Sequence, residues 1–339
     1  MRAMVLNSTA SMDERTAPLE LVDLPRPVPG EHEILIEISV CGVCHTELDE
    51  IEGRTPPPGF PVIPGHQAVG RVVELGPGCK RYEVGDRVGV GWIHSSDGSR
   101  EENISAAFMA TGRDVNGGYA EFMTVQEDYA YPIPVEFSDS EAAPLLCAGG
   151  VGYRALRLAG LQDGQVLGLT GFGGSGHLVL QLSKHLYPSS PVYVFARSAR
   201  ERDFAMELGA TWSGDTGDTP PHRMHAVIDT TPVWKPVLAA LEQLRPGGRL
   251  VINAIRKQDG DKDLMAGIRY EDHLWQEKEI KTVANVTSHD IAEFLPVAAA
   301  AGLRVNVQEY ALEDANQALA ELRSGDLRGA KVLLIKTIK

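Results

Sequence analysis

The chain has 339 residues, 43% apolar and 23% charged. At roughly 150 residues per domain that allows about two domains with cores of their own, and it excludes a disordered chain or a small scaffold that needs disulfides to fold. Thirty-two Lys+Arg against 46 Asp+Glu leave a net charge of −14, a surface that repels phosphate backbones and anionic lipid and argues against nucleic-acid and membrane partners.

No apolar run approaches the roughly 18 residues of a membrane span. Met1 to Asn7 lack the charged, apolar and small-residue sections of a signal peptide. Four cysteines, Cys41, Cys44, Cys79 and Cys147, are too few for a disulfide framework. A cytoplasmic protein is the expectation, with its cysteines buried or binding metal.

The first 135 residues read as β-rich. Segments 33–40, 68–75, 87–91 and 120–125 cluster or alternate apolar residues between Gly, Pro and Asp. From about Ser140 helix-like stretches alternate with short apolar runs at 166–170, 192–196, 226–229, 249–253 and 279–283, the rhythm of a parallel sheet with crossover helices. Residues 199–208 place Phe204, Ala205 and Leu208 at helical spacing and stop at Gly209. Near the end, 290–301 and 313–324 read as helices, and 305–310 and 331–335 as strands that need a sheet to join. Returning them to the first domain gives a nested arrangement, with 1–150 and 287–339 forming one domain and 151–286 inserted.

Within the insert, Val166 to Thr170 runs into Gly171-Phe172-Gly173-Gly174-Ser175-Gly176, followed by an apolar helix pattern over 177–186. This is G-x-G-x-x-G with a strand before it and a helix after it, the setting that a dinucleotide fold requires. The glycines allow a tight turn, contact of backbone with a pyrophosphate, and close helix-to-strand packing. An NAD site would put Asp or Glu at the end of the next strand. Here the segment reads Ala196-Arg197-Ser198-Ala199-Arg200-Glu201-Arg202, which supplies a hydroxyl and up to three guanidinium groups for a 2′-phosphate. NADP(H) is expected over NAD(H). Arg197 and Ser198 carry most of that inference, because Arg200 and Arg202 equally suit the solvated face of a helix. Asn253 to Ile255 and Ala284 to Val286, with Asn253, Ile255 and Asn285 singled out, lie at the ends of the last two strands, where a nicotinamide carboxamide meets backbone.

Three further segments carry potential ligands: Cys41-Gly42-Val43-Cys44-His45, Pro64-Gly65-His66-Gln67 and Leu146-Cys147-Ala148-Gly149. Together with Val84-Gly85-Asp86-Arg87-Val88, Gly117-Gly118-Tyr119-Ala120-Glu121, the glycine loop and Glu207-Leu208-Gly209-Ala210, they make the chain resemble the zinc-dependent alcohol dehydrogenases of the medium-chain dehydrogenase/reductase family over essentially its whole length. The resemblance implies an α/β fold: a Rossmann doubly wound parallel sheet inserted into a β-rich, GroES-like catalytic domain. It implies one catalytic zinc held by Cys44, His66 and Cys147, the three-ligand pattern of a catalytic site. It also implies a homo-oligomer, dimer or tetramer, acting on a small-molecule alcohol or aldehyde.

Site roles follow from the same resemblance. Thr46 matches the hydroxyl that passes the substrate proton onward, Glu47 the carboxylate that orients the histidine ligand, His45 a pyrophosphate-side position, and Trp92 an aromatic of the alcohol pocket. Cys41 is expected to be structural. Several positions depart from the family. Asp49 stands where the proton relay usually ends in histidine, Gln67 where the family has glutamate, and Glu47 where the usual carboxylate is aspartate. Segment 92–105 contains no cysteine, so four-cysteine structural zinc is excluded by ligand count, and a loop that is mobile or held by salt bridges is expected.

Three alternatives remain beside an NADP(H)-dependent alcohol dehydrogenase. A zinc-containing reductase of activated C=C bonds would suit the altered relay at Asp49. A zinc-free quinone reductase is disfavoured by the intact ligand set. A catalytically weakened, cofactor-binding sensor would suit Gln67.

Overall fold

The computed structural model describes residues 1–13, 16–324 and 329–335; residues 325–328 and 336–339 of the expected 287–339 segment lie outside them. Two compact units emerge, Met1–Gly150 with Val286–Ala299 and Arg304–Lys339, and Val151–Asn285 with Ala300–Leu303. No helix among the described residues is long and apolar enough to cross a membrane.

The first unit is organised by one long strand, Glu33–Val43. Its Ile34, Ile36 and Ile38 recur at the period of two that a pleated strand imposes, and all three are buried in one apolar cluster. Three strands pair with it antiparallel: Ala68–Leu75, Phe122–Gln126 and Ala330–Leu334. The complete order is Val307–Ala311, Ala330–Leu334, Glu33–Val43, Ala68–Leu75, Arg87–Val90, Ala130–Pro132, with Phe122–Gln126 as a branch. The C-terminal strands therefore do return to the first domain's sheet, with Lys331 opposite Val43 and Leu334 opposite Val40. The central strand stops at Cys44, which caps the helix His45–Ile51. Sequence patterning missed that helix, and it missed the short pairs Arg2–Leu6 with Leu19–Asp23 and Ile93–Ser95 with Met109–Ala110, whose few residues carry too little periodicity to stand out.

In the second unit six strands run parallel in the order Trp212–Gly214, Val192–Phe195, Leu167–Thr170, Met224–Asp229, Leu244–Ile252, Glu279–Thr282. Numbered along the chain this is 3-2-1-4-5-6, the doubly wound order whose ligand crevice lies at the carboxyl ends of strands 1 and 4. Leu167–Thr170 and Val192–Phe195 are buried throughout, as expected of parallel strands covered on both faces. The edge strand Glu279–Thr282 is exposed along its length.

The cysteine-free segment is tied down by a carboxylate. Glu102 is buried; its Oε1 accepts the Ser288 N–H at 2.5 Å and its Oε2 accepts the Tyr129 hydroxyl at 3.0 Å. Tyr129 in turn accepts the Ser96 N–H, and the Ser96 hydroxyl donates to the Glu102 carbonyl. Burial, reinforced by the Glu102 charge, pushes the Tyr129 phenol up to about 12. Hydrogen bonds to a buried carboxylate thus hold the segment, in place of the mobile or salt-bridged loop expected from the sequence. Glu102→Ala should leave the Ser288 N–H and the Tyr129 O–H unpaired. We expect a loss of about 2–3 kcal/mol in chemical denaturation and faster proteolysis within residues 93–105, with partial recovery in Glu102→Gln.

Candidate metal and dinucleotide sites

Cys44, His66 and Cys147 converge in the first unit, each offering a ligand atom within 4.8 Å of the others. Each is delivered by a different local device. Cys44 ends the central strand and serves as a helix N-cap, its Sγ accepting the Thr46 N–H at 3.5 Å. His66 follows Gly65, whose φ of 99° favours glycine and where a Cβ would lie 2.4 Å from the Tyr119 ring. Cys147 sits in a single π-turn, Leu145–Gly149, a distortion that recurs at functional sites because it redirects one side chain out of a helix.

Glu47 joins two of these ligands. Its Oε2 accepts the Cys44 N–H at 2.8 Å, completing a capping box, and its Oε1 lies 2.6 Å from His66 Nδ1. With Nδ1 facing the carboxylate, Nε2 is left to face Cys147 Sγ at 3.2 Å, while the Cys44 and Cys147 sulfurs stand 4.0 Å apart. Bond lengths of about 2.0–2.3 Å in a tetrahedral site require ligand atoms roughly 3.6–3.8 Å apart, so two thiolates and one oriented imidazole fit a zinc ion with one position open.

The electrostatics are those of a site that holds protons where a metal would go. A hydrogen bond from Cys147 draws the Cys44 thiol well below its ordinary range despite burial, with His66 assisting. Cys147, the donor in that bond, is pushed well above by it and by desolvation. Burial opposes charge on His66, yet Glu47 and Cys44 hold the imidazole well above its usual value. Cys41 is buried, its thiol pushed far up by desolvation, which leaves it a packing role against Gly65 and Gly118.

Around the triad, the Thr46 hydroxyl lies 3.4 Å from Cys44 Sγ. The Trp92 ring centroid is 6.1 Å from that of His66 and meets Phe108 edge-on, which makes Trp92 a wall of the site. Gln67 packs on Gly42, where a Cβ would meet its Oε1 at 2.7 Å. Asp49 is buried and ion-paired with Arg54 at 2.5 Å; Arg54 also pairs with Glu52, which reaches Arg323. His45 is exposed at the first position of the helix. Sequence reasoning missed Glu50, a third buried carboxylate on this helix after Glu47 and Asp49, held well above the usual range by burial and then by Glu47. Its position three residues beyond Glu47 on one helix face was the available signal.

In the second unit the glycine loop divides its duties. Gly171 has φ 81° and packs on Thr230; Gly173 has nothing within 4 Å of a built Cβ; at Gly176 a Cβ would lie 2.6 Å from the Gly171 carbonyl. The open space is therefore at the middle glycine, where a pyrophosphate would touch backbone. Gly174 and Ser175 complete the turn into the helix Gly176–Leu186. Ser198 caps the helix Ala199–Glu207, accepting the Glu201 N–H at 3.1 Å, and Arg197 beside it is exposed. Arg202 turns inward: its Nη1 donates to the Ala196 and Arg197 carbonyls at 2.7 and 2.8 Å, so its first role is to fix the strand end. Asn253 and Asn285 are buried and Ile255 is exposed. A residue outside the sequence expectations, Lys257, is half-buried with its Nζ on Asp229 and on the Thr231 and Val233 carbonyls, stapling two loops at the carboxyl ends of strands 4 and 5.

Such a chain combines a nucleotide-binding parallel sheet with a GroES-like unit bearing an open zinc-type ligand set. Residues 30–135 match the Alcohol dehydrogenase GroES-like domain. The chain is 40% identical over 346 residues to the probable alcohol dehydrogenase AdhA of Mycobacterium tuberculosis, covering 99% of this chain and 97% of that one. It is 32% identical to an alcohol dehydrogenase of Geobacillus stearothermophilus, with 99% of each covered. Among solved structures, the alcohol dehydrogenase of Aeropyrum pernix superposes with a TM-score of 0.84 at 24% identity, over 98% of this chain and all of that one. The CAD of Helicobacter pylori complexed with NADP(H) gives 0.83 at 22%, over 99% of each. The chain belongs to the zinc-type alcohol dehydrogenases of the medium-chain dehydrogenase/reductase family.

Because Glu47 orients His66, Glu47→Ala should weaken zinc binding about 10–100-fold in chelator competition. Zinc added to metal-free protein should displace protons held by Cys147 and His66, so affinity falls as pH is lowered. Proton release in weakly buffered solution measures this directly, and its absence would contradict the assigned ligand set.

Proposed function

We propose that the protein is an NADP(H)-dependent alcohol dehydrogenase or aldehyde reductase that uses one catalytic zinc and acts on a small or medium primary alcohol or aldehyde. The observation that carries the reading is the triad Cys44, His66 and Cys147, with Glu47 fixing the imidazole. When bound, zinc supplies Lewis acidity to a carbonyl or alkoxide oxygen, and the nicotinamide supplies or accepts hydride.

The chain's own residues do the rest. Cys44, His66 and Cys147 hold the metal with a position left for substrate, and Trp92 with Phe108 gives an apolar wall for a short carbon chain. The Thr46 hydroxyl takes the proton of a bound alcohol, and Asp49, anchored by Arg54, stands at the exit of that relay. Gly171, Gly173 and Gly176 with Gly174 and Ser175 cradle the pyrophosphate, a ligand to which the family resemblance also assigns His45. Arg197 and Ser198 take the 2′-phosphate on a turn fixed by Arg202. Asn253, Ile255 and Asn285 border the nicotinamide.

Two thiols 4.0 Å apart and unbonded suit a reducing compartment, hence the cytoplasm. The exposed edge strand Glu279–Thr282 offers unpaired backbone for a second copy, hence a homo-oligomer.

The reading is tested by metal content together with NADPH and NADH oxidation over a panel of aldehydes. We expect one zinc per chain, activity abolished in Cys44→Ser, and kcat/KM for NADPH lowered about 10–100-fold in Arg197→Ala with NADH turnover retained. Full turnover with less than about 0.1 zinc per chain would overturn the mechanism. A saturated aldehyde as product from an enal would reassign the enzyme to C=C reduction, and cofactor binding with no turnover would make it a sensor.

A further inference from the structure

At the end of the parallel sheet opposite the glycine loop, the amino ends of strands 1, 4 and 5 frame a cavity of about 290 Å³ lined by Gln165, His225, Arg245 and Arg249 with Gly160 and Gly247. Its chemistry is unusual for a chain of net charge −14. Arg249 is satisfied, donating to Glu279 and to the Leu158 carbonyl. His225 and Arg245 face each other instead.

The imidazole Nδ1 of His225 faces the Val166 N–H at 3.1 Å. A backbone N–H only donates, so Nδ1 accepts and the ring proton of neutral His225 lies on Nε2. Arg245 Nη1 stands 2.6 Å from that same Nε2, and a guanidinium also only donates. Two donors therefore converge with no acceptor between them. Protonating the ring makes matters worse, since it adds a second cation and breaks the bond from Val166. Burial, and after it the Arg245 charge, accordingly lower the His225 pKa. What satisfies both groups is an acceptor that takes the Nε2–H and the guanidinium N–H together, and a negatively charged oxygen does this best.

We propose that this cavity is an oxyanion site, separate from the dinucleotide crevice, which takes a phosphate group through His225 Nε2 and Arg245, either as inorganic phosphate or as the phosphate of a small metabolite. The backbone favours access: Gly160 and Gly247 have φ of 64° and 68°, conformations that side chains avoid, and both line the cavity without a Cβ. The inference stands independently of the enzyme's substrate and of the zinc.

The test is thermal unfolding and calorimetric titration of the full chain with inorganic phosphate and, separately, glycerol phosphate. Ionic strength is matched with chloride, and saturating NADPH occupies the glycine loop. We expect a saturable rise in Tm of about 2–5 °C, lost in Arg245→Ala and in His225→Phe and retained in Arg197→Ala. Equal affinity for both probes identifies the free ion as ligand; clearly tighter binding of the ester identifies a phosphorylated metabolite. A rise that does not saturate, that persists in Arg245→Ala, or that disappears in Arg197→Ala would overturn the proposal. Circular dichroism of Arg245→Ala, a variant at an exposed position, separates loss of the site from loss of the fold.

Discussion

The contact on which the metal centre depends is the one Glu47 makes in two directions. One oxygen closes the N-terminus of the helix His45–Ile51 and the other faces the His66 imidazole. A fully buried carboxylate is costly unless its lone pairs are satisfied, and here the cost is offset by an orphan helix N–H and an imidazole N–H. The same contact selects the His66 tautomer, so the nitrogen that faces the two sulfurs is the one that can bind a metal. Fold and chemistry are thus coupled through one side chain. The helix needs its cap, the strand Glu33–Val43 needs a place to end, and the ligand needs an orientation.

The ligand set lies among more acidic groups than cationic ones. Glu47, Glu50, Cys44 and Cys147 are acidic groups within one buried region, opposed by His66 and by the more distant charge of Arg113. The hydrogen bond with Cys44 raises the Cys147 pKa, Glu47 and Cys44 raise that of His66 against its burial, and burial and then Glu47 raise that of Glu50. A divalent cation held by the triad would displace protons from its ligands. Gln67 fits the same accounting, because a carboxylate there would add another charge beside His66, whereas the amide packs neutrally on Gly42.

Legibility in the sequence followed the range of the interactions involved. The buried strands of the second unit and the glycine loop were readable because each is a local pattern: an apolar run, a turn, a helix, repeated. The strand ends agree with the patterning to within a few residues, as at Ala68–Leu75 and Val192–Phe195. Trp212–Gly214 was not readable, since three half-polar residues form a strand only because Val192–Phe195 is there to pair with. The zinc ligands became legible through their resemblance to a family, for no spacing rule links 44, 66 and 147. Partnerships between distant residues were the least visible. Composition alone says nothing of Lys257 reaching Asp229 or of Arg202 bending back onto Ala196 and Arg197, and each changes what a nearby residue is free to do.

Segment 93–105 shows how one constraint can be met by different chemistry. A loop of that length, with few apolar residues to bury, needs a fixed point to offset its backbone entropy. A metal would supply one through several ligands at once. Glu102 supplies it with one carboxylate, placed by a single 3₁₀ turn, Glu102–Ile104, where its two oxygens accept a main-chain N–H from Ser288 and the phenol of Tyr129. The bond to Ser288 spans 186 positions in the chain, so it closes a loop that only the folded first unit can close. The clamp needs Ser288, at the start of the helix Ser288–Ala300, to lie beside Glu102. The order of the segment therefore depends on where Ser288 and Tyr129 are held in the folded first unit.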